Sequence, residues 1–165
     1  MNIKKIGIGA AALASTAAIG FAGTAQAATA IEGTPTKDYQ LCGTVYDDAA
    51  WKNNATLPAG ATGVSGVTVT GTLWDSTGTF SSGVGSATTG ADGKYCIDGD
   101  LGMALAVQFS GAYVVLNATP TSAVASPNPW ATAVSGGTTK IDAAVFNAHM
   151  APSYNSAWGF YFAAP

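Results

Sequence analysis

Alternating apolar and polar positions in the middle of the chain predict β-strands. The clearest case is residues 66–74, where Val67 and Val69 point to one face and Thr68 and Thr70 to the other, as expected of a strand with one buried side. Less regular versions of this pattern predict further strands at residues 40–46, 78–89, 94–98, 103–110, 112–118, 140–146 and 157–163.

Glycine, proline and asparagine mark the connections between these segments. Asp92-Gly93 is expected to form a tight hairpin turn, because an Asp-Gly pair readily takes the positive φ values that such turns require. Residues 47–65 and 119–137 have the composition of long loops. Seven or eight short strands separated by such turns predict an all-β fold, a sandwich of two packed sheets.

The last predicted strand carries Trp158, Phe160 and Phe162 at every second position. Side chains two residues apart lie on the same face of a strand. We therefore expect all three rings to lie in the hydrophobic core.

The first 27 residues have the layout of a cleavable secretory signal peptide. Lys4 and Lys5 precede an uncharged run of apolar and small residues, and Ala25-Gln26-Ala27 is a small-x-small cleavage pattern. A transmembrane anchor is the alternative, but the run is short and rich in alanine and glycine, whereas a bilayer span needs about 20 strongly apolar residues. We expect a secreted or envelope-associated protein with a flexible leader at 28–39, a single sandwich domain at 40–165 and no transmembrane span after cleavage.

Cleavage at this point would make the protein acidic. Residues 28–165 contain four lysines, nine carboxylates and no arginine, which gives a formal net charge of −5. Binding to nucleic acid relies on clusters of lysine and arginine around phosphates. The charge therefore argues against a nucleic-acid partner and against anionic membrane surfaces.

Cys42 and Cys96 are the only cysteines, and in an exported protein we expect them to form one disulfide. A metal pair or a catalytic thiol would need partners, and His149 is the only histidine. In strand parity, Cys42 lies on the opposite face from Leu41, and Cys96 lies opposite Ile97. This predicts a bridge between neighbouring strands on the less buried side, or one that tethers strand ends.

Three segments resemble a known group of extracellular modules. Residues 43–47 (GTVYD), 63–69 (GVSGVTV) and 87–97 (ATTGADGKYCI) are similar to the carboxypeptidase-regulatory-like, transthyretin-like and Cna-B-type modules, over about residues 40–118. The resemblance implies an immunoglobulin-like or transthyretin-like sandwich at the cell surface. Some such modules carry an isopeptide bond with a glutamate catalyst, but Glu32 is the only glutamate here and lies outside the predicted strands. We expect the disulfide to provide the cross-link instead.

Candidate chemistry is sparse. A Ser–His–Asp hydrolase would depend on His149, but the chain has no Gly-x-Ser-x-Gly motif, so we expect no catalytic residues and no cofactor. Asp92, Asp98 and Asp100 could hold calcium at one rim of a sandwich, although Asp-Gly-Asp is also ordinary turn chemistry. We expect no metal site.

Three aromatic residues fall in predicted loops, where they are candidates for ligand binding: Trp51, Trp130 and Tyr154. Packing over the sheet edges is the alternative for these rings. The sequence favours a non-enzymatic, secreted or envelope-associated module with a structural, adhesive or protein-binding role. The alternative is a carbohydrate-binding module that uses these aromatics, and the partner would be a protein or a glycan of the cell surface.

Overall fold

The computed structural model describes residues 27–47, 56–119 and 140–164, and the backbone of residues 131–133. This part of the chain forms two packed β-sheets and two short helices, so the predicted all-β sandwich is confirmed. In chain order the elements are β1 (Gln40–Asp47), β2 (Thr62–Gly63), β3 (Thr68–Trp74), β4 (Ser81–Thr88), β5 (Lys94–Asp98), α1 (Leu101–Phe109), β6 (Tyr113–Thr119), β7 (Ala131–Ala133), β8 (Lys140–Ile141), α2 (Ala143–Ala148) and β9 (Ala157–Ala164).

The first sheet is built around β1. Strands β5 and β2 pair antiparallel with one edge of β1, while β9 pairs in parallel with the other edge and carries β7 on its far side. The second sheet has the order β4-β3-β6-β8, and all its neighbours are antiparallel. The parallel β1–β9 pair brings the segment before β1 close to β9, which determines the position of the candidate site.

The main hydrophobic core lies between the two sheets. Val67 and Val69 are buried as the alternation predicted, whereas Thr68 and Thr70 are partly exposed. Burying one such apolar side chain fully contributes about 1.5–3 kcal/mol. The large side chains that contribute most to this core are Leu41, Val45, Ile97, Leu116, Ile141, Phe146, Phe160 and Phe162.

The outer face of the first sheet is covered as well. Tyr46 and Tyr161 pack edge to face there, with ring centroids 6.4 Å apart. Residues 28–39, predicted to be a flexible leader, are hydrogen-bonded to this sheet: the Thr44 hydroxyl donates to the carbonyl of Ile31 over 2.8 Å. The strand β1 is therefore buried on both faces.

Cys42 and Cys96 form the predicted disulfide. They lie directly opposite each other in the antiparallel pair β1–β5, while Leu41 and Ile97 belong to the core on the other face. The prediction of neighbouring strands is thus confirmed. The segment before β1 packs over this outer face, so that Cys42 is fully buried and Cys96 only partly exposed.

The predicted strand at 103–110 is wrong, because residues 103–109 lie in helix α1 and Ser110 is its C-cap. The Asp100 carboxylate caps the helix by accepting a hydrogen bond of 2.7 Å from the backbone N–H of Met103. Leucine, methionine, alanine and glutamine, which dominate the segment, are good helix formers. An aspartate followed by a run of good helix formers was the sequence signal that could have predicted this helix.

The predicted strand at 140–146 is also largely wrong. Only Lys140–Ile141 pairs in a sheet, and α2 follows at once. Its cap is Asp142, whose carboxylate accepts from the backbone N–H of Val145 over 3.1 Å.

Among the described residues, no helix has both the length and the apolar character needed to cross a membrane.

Candidate functional site

An open groove lies where the end of α2, the start of β9 and the segment before β1 meet. It consists of a cleft of about 350 Å³ and an adjoining cleft of about 160 Å³. The two clefts share Pro152 and Trp158 as walls, and we call them together the Trp158 groove. Its other principal side chains are Glu32, His149, Tyr154 and Tyr161.

Trp158 lines this groove because β9 is irregular at its start. The register between β1 and β9 shifts between Leu41 and Gly43, and Gly159 has a φ of 85°, which glycine tolerates best. The expectation that Trp158 shares a face with Phe160 and Phe162 is therefore wrong. Both phenylalanines are buried in the core, whereas Trp158 is partly exposed.

Gly159 also keeps the base of the larger cleft open. A Cβ atom at this position would lie 3.2 Å from Nδ1 of His149 and 3.8 Å from the hydroxyl oxygen of Tyr161. The two polar side chains thus flank one glycine. The sequence signal for this arrangement was a glycine inside an aromatic strand, which often marks a bulge.

His149 ends α2 and is held in place by the following strand. Its Nδ1 lies 2.9 Å from the carbonyl oxygen of Trp158, and its ring packs on Phe160 with centroids 5.1 Å apart. Since a carbonyl only accepts, Nδ1 carries a proton and donates it to this oxygen. The ring of His149 is therefore oriented by specific contacts.

Glu32 and Tyr161 form the polar end of the larger cleft. The Tyr161 hydroxyl donates to Oε1 of Glu32 over 2.7 Å. Burial, together with this hydrogen bond to a carboxylate, raises the pKa of the Tyr161 hydroxyl. The hydroxyl therefore stays protonated and keeps the carboxylate oriented.

The backbone next to Glu32 is fixed by the sheet beneath it. The backbone N–H of Gly33 donates to the Thr44 hydroxyl over 3.2 Å, and this hydroxyl donates to the carbonyl of Ile31. Glu32 is also the only carboxylate among the described residues that line the groove, and no lysine lines it there. The site is therefore preorganised and rich in hydrogen-bond acceptors.

The structure describes one of the three aromatic residues that were predicted to bind a ligand. Tyr154 is exposed and lines the smaller cleft, so it belongs to the Trp158 groove. Trp51 and Trp130 lie outside the described residues. The sequence did not identify Trp158, expected in the core, or Glu32, considered only for an isopeptide bond, as parts of this site.

The three aspartates considered for calcium have separate partners. Asp92 pairs with Lys94 at 2.8 Å, Asp98 accepts from Gln40 and Lys37, and Asp100 caps α1. Within the described part of the chain, no three histidine, cysteine or acidic side chains come together as a metal site.

A second surface is apolar. Leu101, Leu105 and Phe109 are exposed along one side of α1, four residues apart as on one helix face. A nearby cleft of about 370 Å³ is lined by Trp74 and the exposed Phe80, among others. This surface offers hydrophobic area but no charged group from the helix.

Comparisons with protein-family models, with curated proteins and with solved structures find no match for this chain. The resemblance of residues 40–118 to transthyretin-like modules remains a prediction. The geometry of the Trp158 groove is therefore the basis for assigning a function.

Proposed function

We propose that the protein is a non-enzymatic, exported β-sandwich module with a structural, adhesive or protein-binding role outside the cytoplasm, and that the Trp158 groove is its binding site. The observation that carries this proposal is a partly exposed tryptophan, displaced from the core by a bulge, in the wall of a preorganised cleft. Exposed aromatic rings beside fixed polar groups are typical of binding sites.

Export is supported by the disulfide and by the sequence. Disulfides persist in oxidising compartments and are rare in the cytoplasm, and Cys42–Cys96 ties together two strands of the first sheet. The signal-peptide layout of residues 1–27 supports the same location. The net charge of −5 after residue 27 favours an uncharged or basic partner.

A binding role without catalysis is supported by how the polar groups of the groove are used. Nδ1 of His149 is held by a backbone carbonyl, whereas in a catalytic triad a carboxylate orients this ring. The Tyr161 hydroxyl is committed to Glu32. These contacts fix the shape of the cleft and leave its acceptors to a ligand.

A carbohydrate-binding module is the second candidate, favoured by Tyr154 and Trp158 lining one groove.

Two measurements test this proposal. Fractionation of the source cells should place the processed protein outside the cytoplasm. Fluorescently labelled protein should bind intact source cells or their isolated envelopes, and Trp158→Ala should weaken this binding by about tenfold or more, as expected for an aromatic anchor.

The matched control is Trp74→Ala, which removes a tryptophan that does not line the groove. We expect this variant to bind cells as the wild type does. A cytoplasmic location, or equal binding by the Trp158→Ala variant, would contradict the proposal.

A further inference from the structure

The chemistry of the Trp158 groove also indicates what kind of ligand it takes. One wall is the indole of Trp158, with the exposed ring of Tyr154 beyond it in the smaller cleft. Such rings offer flat apolar faces of fixed orientation. A ligand that uses them needs an apolar face of similar size.

The opposite side of the larger cleft consists of hydrogen-bond acceptors. Oε1 of Glu32 accepts from Tyr161, and among the described residues Oε2 of Glu32 has no hydrogen-bond partner. The free oxygen Oε2 has two lone pairs and can accept more than one hydrogen bond. A complementary ligand must therefore bring several donors to this side.

An apolar peptide side chain does not meet this requirement. It would cover the Glu32 carboxylate without replacing the water bound to it, and burying an unpaired carboxylate is costly. An anionic ligand is also disfavoured by the charge of Glu32, since no lysine among the described residues lining the groove offsets it. The ligand is thus expected to bring hydrogen-bond donors without negative charge, and a sugar does so with its hydroxyl groups while offering an apolar C–H face to the rings.

We infer that the Trp158 groove binds an uncharged saccharide, with the C–H face of one sugar ring on Trp158 and with sugar hydroxyls donating to Glu32. The larger cleft, about 350 Å³, falls within the range of about 300–1,000 Å³ typical of small-molecule sites. The smaller cleft beyond Trp158 has room for a neighbouring sugar, with Tyr154 on its wall. This inference rests on the proposed function and specifies its ligand.

The groove is suited to this task because it is rigid before the ligand arrives. Hydrogen bonds hold Glu32 through Tyr161, His149 through the Trp158 carbonyl, and the Ile31–Gly33 backbone through Thr44. Preorganised groups lose little conformational entropy on binding. Even a weak ligand such as a short oligosaccharide can then be held.

The test is a glycan array probed with the full-length, exported protein. The array carries neutral oligosaccharides of hexoses and N-acetylhexosamines, and sialylated and uronic-acid glycans as anionic comparators. We expect binding to a subset of the neutral glycans and none to the anionic ones. Calorimetric titration with the best neutral glycan then gives the affinity of each variant.

Two variants identify the groove. Trp158→Ala should weaken glycan binding by about tenfold or more, and Glu32→Gln should weaken it by about tenfold, because a charge-assisted hydrogen bond is replaced by a neutral one. Glu32 is partly exposed, so Glu32→Gln remains informative if Trp158→Ala fails to fold. Trp74→Ala should bind as the wild type does, and thermal melting checks that each variant is folded.

The outcomes separate this inference from the proposed function. If no glycan binds, but the protein still binds source cells in a Trp158-dependent manner that protease treatment of the cells abolishes, the partner is a protein and only the saccharide inference is overturned. If neither glycans nor cells bind, both fail. Glycan binding that neither Trp158→Ala nor Glu32→Gln weakens would also overturn this site.

Discussion

At the scale of single residues, Gly43 shows how closely the backbones of the first sheet approach one another. A Cβ atom at Gly43 would overlap the carbonyl oxygen of Phe160 in β9 and would lie 2.8 Å from the hydroxyl of Tyr95. This hydroxyl already donates to the Phe160 carbonyl over 2.9 Å. The close contact between β1 and β9 therefore leaves no room for a side chain at position 43.

Gly43→Ala should accordingly lower the free energy of unfolding by about 2 kcal/mol or more, because β9 must move away from β1. Urea denaturation followed by tryptophan fluorescence measures this change. Gly83→Ala is the matched control: Gly83 lies in β4, and a Cβ atom there would have no neighbour within 4 Å. Equal effects of the two substitutions would contradict the expectation.

The disulfide is the second residue-scale feature with a measurable contribution. Cys42 and Cys96 are 54 positions apart, and closing a loop of this length stabilises the fold by about 4 kcal/mol in the chain-entropy model. The double variant Cys42→Ala/Cys96→Ala should lose about this much in urea denaturation. Wild-type protein with its disulfide reduced is the control and should lose a similar amount. A double variant as stable as the oxidised wild type would show that the bridge contributes nothing.

At the scale of elements, the two helices lie where the sequence predicted strands, and each begins at a capping aspartate. In α1 the N-cap is Asp100 and in α2 it is Asp142, and each carboxylate accepts from the backbone N–H three residues further on. The capping bond satisfies a donor that the first turn of a helix otherwise leaves open. Met103 and Val107 of α1 are then buried on its inner side.

Asp100→Ala should lower the free energy of unfolding by about 1 kcal/mol, the usual cost of losing an N-cap. Asp100→Ser is the control, since a serine hydroxyl can accept the same bond and should retain most of the stability. Thermal or urea denaturation of the two variants makes the comparison. If both variants lost the same stability, the capping bond would not be the reason.

At the scale of the whole molecule, the first sheet is covered on both faces, and its tyrosines connect its strands. Tyr95 in β5 is buried and donates to the carbonyl of Phe160 in β9. Burial raises the pKa of its hydroxyl. Because the folded state holds the proton more tightly than the unfolded state, this contribution to stability is complete below the unfolded pKa of about 10 and is lost as the pH rises above it.

The stability of the protein should therefore decline with pH above about 10, measured by urea denaturation at a series of alkaline pH values. Tyr95→Phe should be less stable than the wild type at neutral pH, by about 1 kcal/mol for the lost hydrogen bond. Its decline above pH 10 should also be shallower. Tyr154→Phe, at an exposed position, is the control and should follow the wild type. Parallel declines of the Tyr95→Phe variant and the wild type would contradict this explanation.

The sequence by itself determined two kinds of feature. Some depend only on residues that are neighbours in the chain, and others had only one possible arrangement. Strict alternation gave Val67 and Val69 a common buried side, and two cysteines in strand segments of matching parity could form only one bridge. Period-two alternation reports a local geometry, so it is readable without knowing what the strand packs against. The all-β class followed from the number of such segments.

The tertiary structure alone decided the candidate site. Glu32 and Tyr161 are 129 positions apart, and they meet because β9 pairs in parallel with β1 and so lies beside the segment that precedes β1. The bulge that brings Trp158 into the wall of the groove is a register shift between two strands. Periodicity within one strand cannot show such a shift, because a bulge depends on how two strands pair.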